Sequence, residues 1–535
     1  MKTLKIRIGN GKLVNASSLG WLILAGVFVI LWYYMDNYIM YTLNSDHSSD
    51  LVLGHILAEE NSLISRNWCY STVLKVVDIN LVWAALFKIT DNWHIVRVIG
   101  SVLIYLLILI CLRFMCVQAG MKKYFGYIGA MLMLPVSKDY FDIVMRGVYY
   151  SATILDALLI MGLWMAYLKS GSGKKRMLLA AVGVAVSAVG GLGGPMQVVM
   201  FNVPMVLAAL LFCLTEHEPD RARVLGFSLL MAAAAVGGYM FSSSVLAEIY
   251  QFQNYEKMLF EAVSITGIMN VINGWISVFG YRSGESVFSV ALLMNASAGL
   301  WVLLSTSCAV GTLRSREHSL NAKLLGALYL SYLVTMLLVF SMSSKTFIAR
   351  YMVLAVIFGV IAVFAYFNER GEKAQKSGRI IAGLMALALL CGALNYNEMR
   401  KIDETKGLRE AAQVIAEQGY TQGYATFWNA NVVTELSNGQ LEMWHWNDGK
   451  QEIADLEDFN DIYPWLQEKS HLTEVPSGKV FVLLSANEDY YFEFTKKFSQ
   501  DNVIYRAENY YDYGYRDYIA YGFESYEELS RLLSQ

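Results

Sequence analysis

Long apolar stretches separated by short polar segments fill the chain from residue 17 to residue 396. A helix needs roughly 20 apolar residues to cross about 30 Å of hydrocarbon. The pattern predicts an all-α polytopic membrane bundle of about eleven transmembrane helices. These spans lie near residues 17–36, 95–116, 124–137, 148–168, 178–194, 197–215, 224–245, 286–310, 324–342, 349–367 and 380–396. The third and the fifth are short, so the predicted count has a margin of about one.

From about residue 397 the pattern changes to that of a soluble protein. Helices and strands alternate there, which predicts a small C-terminal α/β domain over 397–535. Its predicted elements are helices at 403–417, 458–468 and 489–498, a strand at 479–485, and a Tyr-rich strand pair within 503–523. The transmembrane domain then covers 1–396 and includes a long first outer loop, 37–94.

Composition agrees with a membrane protein. Of 535 residues, 56% are hydrophobic and only 16% are charged, whereas a soluble protein of this size carries far more charge. We therefore predict the lipid bilayer as a partner and no nucleic acid. Most of the six cysteines fall in or near apolar spans, so no disulfide framework is expected.

The basic residues are sorted along the chain. Groups of Lys and Arg precede the first predicted span and follow the second, fourth, sixth, eighth and tenth. All these loops have the same parity, and cytoplasmic loops carry the excess of Lys and Arg. The pattern predicts a cytoplasmic N-terminus, which serves as an uncleaved signal anchor, and an extracytoplasmic C-terminal domain at the cell membrane.

Two carboxylates lie early in the first outer loop, in Thr42-Leu-Asn-Ser-Asp46-His-Ser-Ser-Asp50. Their spacing of four would put Asp46 and Asp50 on one face of a helix that begins by Asp46. At the outer mouth of a helical bundle such acids are candidate catalytic residues. The alternative is that Asp46 or Ser48 is only the N-cap of a helix over 50–60.

The second outer loop carries another acidic pair, Asp139 and Asp142, with Arg146. The acids are candidate catalytic residues that would orient an acceptor or a divalent ion, and Arg146 is a candidate substrate-binding residue. The alternative is that all three only face solvent. Asp156 lies about two turns into the fourth span, where an ionisable group needs a polar cavity or a partner. It is either a site residue or an interhelical hydrogen-bond anchor.

Five further residues are candidates for substrate binding. Lys345 and Arg350 flank the start of the tenth span, and Arg282 lies near the end of the fourth outer loop. These cations could bind a lipid phosphate through charge-assisted hydrogen bonds, or only contact lipid headgroups. Trp68 and Tyr70 in the first outer loop could stack on a sugar, or belong to an interfacial belt or a core.

Metal ligands are not apparent in the sequence. The three histidines of the first outer loop, His47, His55 and His94, have a spacing that matches no closed metal site, so we predict no zinc. No soluble cofactor is expected either. Only a divalent cation at the second-loop acids is left open.

These residue types suit one reaction. A sugar carried on a polyprenyl phosphate has a leaving group that is already stable as an anion, so no general acid is needed. Cations have to hold the phosphate, and one carboxylate has to deprotonate the incoming hydroxyl. That hydroxyl attacks the anomeric carbon opposite the phosphate and inverts its configuration.

Residues 17–396 resemble the GT-C superfamily of polyprenyl-phosphate-sugar-dependent membrane glycosyltransferases. The resemblance is carried by the single N-terminal span, the early Asp of a long first outer loop, and the segments SRNWCYST and LFKITDNWHIVRVIG. It implies that Asp46, or less well Asp50, is the base, and that Asp139 or Asp142 is the second acidic residue. The tail, with GYATFWNANVVTELSNGQ, is similar to extracytoplasmic domains of some bacterial members.

The leading hypothesis is an inverting GT-C-type glycosyltransferase. Its partners would be a polyprenyl-phosphate-linked sugar and an extracytoplasmic glycan, lipid or cell-envelope polymer as acceptor. Two alternatives stay open: a lipid or saccharide transporter, and a non-catalytic envelope-assembly protein.

Overall fold

The structure is a computed structural model. It describes residues 5–8, 12–215, 220–252, 259–344, 347–369, 374–450, 452–453, 456, 459–511, 514 and 516–535. The chain divides into two compact units. The helical unit comprises Met1–Tyr34, Val102–Ser243 and Glu256–Met399, and the α/β unit comprises Met35–Ser101, Ser244–Tyr255 and Arg400–Gln535. The domain limits expected from the sequence, 1–396 and 397–535, stay predictions.

Helices dominate the described residues. They are α1 Ala16–Tyr38, α2 Ser45–Glu60, α3 Ile79–Phe87, α4 Trp93–Gln118, α5 Phe125–Leu132, α6 Lys138–Tyr140, α7 Ser151–Lys169, α8 Gly173–Leu192, α9 Val203–Thr215, α10 Arg221–Ser244, α11 Ile265–Val278, α12 Val290–Arg314, α13 Leu320–Ser341, α14 Val353–Asn368, α15 Ala374–Met399, α16 Lys406–Glu417, α17 Phe427–Leu436, α18 Ala486–Tyr491 and α19 Tyr526–Leu533. The strands are β1 Lys5–Ile8, β2 Lys12–Asn15, β3 Cys69–Tyr70, β4 Gln251–Phe252, β5 Gln422–Thr426, β6 Glu442–Trp446, β7 Val480–Ser485, β8 Val503–Arg506 and β9 Tyr518–Phe523.

Ten helices in the described part of the chain are long and apolar enough to cross a membrane. They cover Ser17–Thr42, Trp93–Gln118, Ser151–Lys169, Gly173–Leu192, Val198–Thr215, Arg221–Glu248, Val290–Arg314, Leu320–Ser341, Ala349–Asn368 and Ser377–Met399. The chain is therefore a multi-pass membrane protein. The orientation of its termini stays a prediction.

The third expected span, 124–137, is not one of the ten. Its helix, α5, ends at Leu132 after eight residues, a rise of about 12 Å and less than half the hydrocarbon thickness. Pro135 follows closely, and the residue before a proline disfavours the helical conformation. The expected span was already short, and the structure makes only eight of its residues an α-helix because the helix ends before Pro135.

Two helices of the helical unit pack through reciprocal small residues. A Cβ at Gly191 of α8 would lie 2.0 Å from the carbonyl oxygen of Ala235, and one at Gly238 of α10 would lie 2.1 Å from that of Ala188. Backbones approach this closely only where a side chain is missing, which is a common way for helices to associate in membranes.

The α/β unit is built around a five-stranded mixed sheet with the order β6-β5-β7-β9-β8. β5 pairs in parallel with β6 and β7, whereas β9 is antiparallel to β7 and β8. Every residue of β7 and β9 is buried, as expected for central strands whose sequences are almost continuously apolar. The predicted α/β character of the C-terminal region is confirmed.

The predicted helix over 458–468 is wrong for the residues described there. Pro464 lies in its middle and cannot donate a helical hydrogen bond. Phe459 and Leu466 adopt positive φ angles of 54° and 49°, which interrupt a right-handed helix. The segment instead runs beside β6 through a bridge between Trp446 and Ile462.

We expect Gly238→Ala to destabilise the protein, because the added methyl group would collide with the backbone of α8. Overpacking of this kind costs about 1–3 kcal/mol. Gly237→Ala is the matched control, since a Cβ at Gly237 meets no atom within 4 Å. The melting temperature of the purified protein in detergent is the measurement. Equal melting temperatures for the two variants would contradict the proposed close packing.

Candidate functional site

Asp46 lies in the first turn of α2. The N-cap of this helix is Asn44, whose side-chain oxygen accepts a hydrogen bond from the backbone N–H of His47 at 3.0 Å. The alternative role expected from the sequence, in which Asp46 or Ser48 caps the helix, is therefore wrong. Because α2 begins at Ser45, Asp46 and Asp50 share one face of it. A carboxylate in the first turn is also stabilised by the helix dipole.

Asp50 is buried and ion-paired. The ammonium group of Lys75 donates to both of its carboxylate oxygens, and the side chains of Asp50 and Lys75 are only 4% and 17% exposed. Burial by itself would lower the pKa of Lys75, but the carboxylates of Asp50, Asp78 and Asp46 raise it. Lys75 therefore stays charged, and Asp50 is the counter-ion that keeps it so.

Asp78 completes this group of four charges. Its side chain caps α3 by accepting from the backbone N–H of Ile79 at 2.8 Å. Burial raises the pKa of Asp78 to about 6, with the cation of Lys75 opposing the shift and the carboxylate of Asp50 adding to it. We call Asp46, Asp50, Lys75 and Asp78 the acidic group. Asp46 is only partly buried, whereas Asp50 is fully buried.

The helix that carries Asp46 is fixed by a buried ion pair. The guanidinium of Arg97 donates to both carboxylate oxygens of Glu435, with Nη2 2.6 Å from Oε2. The same Nη2 lies 2.9 Å from the carbonyl oxygen of His47 in α2. Both charged side chains are completely buried. Ser45 adds a further tie, because its hydroxyl donates to the carbonyl of Phe427 in α17.

The two aromatic candidates, Trp68 and Tyr70, are core residues of the α/β unit. Tyr70 is 2% exposed, and its hydroxyl exchanges hydrogen bonds with the backbone of Ser65. Because the ring of Tyr70 is buried, a sugar could not stack on it. We therefore do not propose Tyr70 as a substrate-binding residue. Trp68 is 1% exposed and lines a cavity of about 240 Å³.

In the helical unit, Asp139 and Asp142 each contact another side chain of the same unit. The hydroxyl of Ser277 in α11 donates to Asp139. Asp142 pairs with Arg146 one helical turn later, with Nε of Arg146 2.5 Å from Oδ1. Arg146 therefore compensates an acid of its own segment, and its predicted role in binding substrate stays a prediction.

Arg282 is part of a polar network. Its guanidinium lies 2.8 Å from a carboxylate oxygen of Glu398 and 2.8 Å from the amide oxygen of Asn395. Lys138 reaches the same Glu398 at 3.6 Å and is itself 51% exposed. Arg282 also lies 3.6 Å from a carboxylate oxygen of Glu285, so this network holds two cations and two carboxylates.

The cations at the start of the tenth predicted span are described only in part. Lys345 lies outside the described residues. Arg350 lies in the turn Ala349–Met352, with its guanidinium carbon 5.9 Å from the ring centre of Tyr351. This turn packs against both α6 and α11, so the helical unit brings the segments of Asp139, Ser277 and Arg350 together.

Asp156 packs on a neighbouring helix. A Cβ at Gly190 of α8 would lie 2.2 Å from Oδ2 of Asp156. The contact favours the second of the two roles expected for Asp156, an anchor between helices.

Sequence reasoning missed several charged residues of the site. Lys75 and Asp78 lie in VLKVVDINLV, where two charges three positions apart within an apolar run were the available signal. Arg97 and Glu435 are 338 positions apart, so no local pattern could pair them.

Among the described residues, one group could hold a metal ion: Glu442, Glu468 and His471 of the α/β unit. None of the three belongs to the acidic group around Asp46.

Comparison with known proteins gives matches in fold but not in sequence. No protein-family model matches the chain, and no curated protein matches it. Among solved structures, ArnT of Cupriavidus metallidurans in the apo state is 10% identical, with a TM-score of 0.56 over 94% of this chain and 98% of ArnT. ArnT bound to undecaprenyl phosphate is 11% identical, with a TM-score of 0.54 over the same shares.

A second protein matches less closely. The oligosaccharyltransferase of Archaeoglobus fulgidus is 10% identical, with a TM-score of 0.51 over 90% of this chain and 69% of that one. Both proteins are GT-C glycosyltransferases. Sequence identities this low are evidence for a shared fold and for nothing more. The predicted fold class, a GT-C-like helical bundle with a small α/β domain, is confirmed.

We expect Glu435→Gln to destabilise the α/β unit by about 3–5 kcal/mol, because it leaves the buried charge of Arg97 without its counter-ion. The control is Glu493→Gln, which removes an exposed pair with Lys496 and should change stability by less than about 1 kcal/mol. Thermal unfolding of the full chain in detergent, followed by tryptophan fluorescence, measures both. A Glu435→Gln variant as stable as the control would contradict the anchoring role.

Proposed function

We propose that this chain is an inverting glycosyltransferase that moves a sugar from a polyprenyl-phosphate donor to an extracytoplasmic glycan, lipid or cell-envelope polymer. The observation that carries the proposal is the position of Asp46. It is a partly exposed carboxylate in the first turn of a rigidly held helix, in a chain with the GT-C fold. ArnT, which has that fold, binds undecaprenyl phosphate.

The reaction needs one base and no cofactor. The oxygen of the acceptor hydroxyl forms a bond to the anomeric carbon, and the carboxylate of Asp46 takes the hydroxyl proton. The bond between that carbon and the phosphate oxygen breaks, and its electron pair leaves with the phosphate. The donor phosphodiester, with one negative charge, becomes a polyprenyl phosphate with two, so the site has to stabilise additional negative charge.

Asp46 suits the role of base better than its neighbours do. Asp50 is committed to Lys75 through two hydrogen bonds. Asp78 caps α3, and burial raises its pKa to about 6, which keeps part of it protonated near neutral pH. The ion pair of Asp50 with Lys75 fixes the face of α2 from which Asp46 projects, so both are positioning residues in this proposal.

The phosphate requires cations other than Lys75, because the acidic group already compensates that charge. Arg282 and the half-exposed Lys138 lie together around Glu398, and they are the cations that we propose for the phosphate. Roles for Arg146, Lys345 and Arg350 in binding the donor, and for Asp139 or Asp142 in orienting the acceptor or a divalent ion, stay predictions.

We expect Asp46→Asn to lower sugar transfer by at least about 100-fold, because general-base catalysis contributes about 10²–10⁴. Asp91→Asn is the matched control, since Asp91 is exposed and precedes α4 in the same unit. Membranes that contain each variant receive undecaprenyl-phosphate-linked, radiolabelled hexose or pentose. The measurement is label transferred per amount of folded protein.

The outcome separates catalysis from folding. Asp46→Asn should keep the melting temperature of the wild type within a few degrees and lose transfer, whereas Asp91→Asn should keep both. Undiminished transfer by Asp46→Asn would remove Asp46 from the mechanism.

A further inference from the structure

The cavity lined by Trp68 has the charge of a cation site. The described residues that line it include three glutamates, Glu59, Glu442 and Glu468, and two histidines, His55 and His471, but no Lys or Arg. Carboxylate oxygens and an imidazole nitrogen from Glu442, Glu468 and His471 lie within 4.8 Å of one another. A partly enclosed space with converging carboxylates favours a cation.

The hydrogen bonds of Gln467 determine which ring nitrogen of His471 donates to it. Oε1 of Gln467 accepts from the backbone N–H of His445 at 3.1 Å, and its amide nitrogen donates to the carbonyl of Tyr463. Oε1 is therefore an acceptor, so Nδ1 of His471, 3.2 Å away, has to be the donor. Nε2 is then the ring nitrogen that remains for a contact on the other side of the ring.

The other ring nitrogen, Nε2, faces a carboxylate. Nε2 of His471 lies 3.1 Å from Oε1 of Glu442. Two acceptors at this distance repel unless a positive species lies with them, and the species is either a second ring proton or a metal cation. A metal-ligating histidine usually donates its other N–H to an oxygen, as His471 donates to Gln467.

Each candidate ligand is held by an amide side chain. Gln422 donates to Oε2 of Glu442 at 2.6 Å, and Asn67 donates to Oε2 of Glu468 at 3.0 Å. Together with the bond from His471 to Gln467, these contacts fix the orientation of all three side chains. Such outer contacts are typical of built metal sites.

A further buried group lines the same cavity. The indole N–H of Trp68 is completely buried and has no hydrogen-bond partner in the described part of the chain. A buried donor without an acceptor costs about 1–3 kcal/mol. A water or hydroxide bound to a cation would supply the acceptor that it lacks.

We propose that Glu442, Glu468 and His471 bind one divalent cation of the Zn²⁺ class, with the fourth position open to the cavity. A set of one nitrogen and two carboxylate oxygens with an open position suits Zn²⁺. The site was not expected from the sequence, because its ligands come from β6 and from a loop 26 residues later. It goes beyond the proposed transfer reaction and does not depend on it.

The cation would cross-link three segments of the α/β unit. Residues 67–69 already bond to the loop that carries Glu468 and His471, with the backbone N–H of Cys69 2.8 Å from the carbonyl oxygen of Gln467. Glu442 lies on β6, one of the two edge strands of the sheet. A bound ion would therefore stabilise the first outer loop against the sheet, in proportion to its binding free energy.

The test is metal uptake by the full chain purified in detergent. The protein is stripped with a chelator, exposed to ZnCl₂ and desalted, and its zinc is measured by mass spectrometry. We expect one zinc per chain, a melting temperature raised by several degrees, and at least tenfold less zinc in the double variant Glu442→Gln/Glu468→Gln. The matched control, Glu474→Gln/Glu524→Gln, removes two exposed carboxylates of the same unit and should keep the zinc.

Two results would overturn the proposal. One is a wild-type protein that retains no zinc, which would make His471 and Glu442 a plain ion pair. The other is a double variant that retains as much zinc as the control. If the double variant fails to fold, His471→Phe replaces it. The proposal then requires that this variant bind less zinc than the wild type and gain less thermal stability from zinc.

Discussion

The buried ion pair between Arg97 and Glu435 is the interaction on which the candidate site depends. Each charge would be very costly alone in this environment, and the bidentate geometry pairs both carboxylate oxygens of Glu435 with Nε and Nη2 of Arg97. Because the same guanidinium also binds the carbonyl of His47, the pair fixes the first turn of α2. The carboxylate of Asp46 is one residue away from that carbonyl, so its position is set by charges far from it in the sequence.

A second feature is the balance of charge in each unit. Three carboxylates surround one lysine in the acidic group, which leaves it with an excess of negative charge suited to accepting a proton. In the helical unit, Lys138 and Arg282 both pair with Glu398, and Arg282 also pairs with Glu285, so two carboxylates match the two cations.

The sequence predicted what depends on local patterns. Runs of apolar residues located the spans, and alternating helix and strand patterns predicted the α/β domain. The errors at 124–137 and 458–468 have one cause: Pro135 and Pro464 interrupt segments whose average composition favours a helix. The acids Asp46 and Asp50 could be found from their spacing, whereas the partners that give them different roles could not. Lys75 lies 25 positions from Asp50 in the chain and binds it only in the folded unit. Glu435 lies 388 positions from His47 and reaches its carbonyl only through Arg97.

Product analysis of the wild-type protein tests the central claim most directly. Purified protein in lipid vesicles is given an undecaprenyl-phosphate-linked sugar of known anomeric configuration together with a membrane extract as acceptor. Mass spectrometry follows the lipid, and nuclear magnetic resonance determines the configuration of the product. The account predicts one free undecaprenyl phosphate for each sugar transferred and an inverted anomeric centre. Donor that crosses the bilayer with its sugar still attached, or a product with retained configuration, would contradict it.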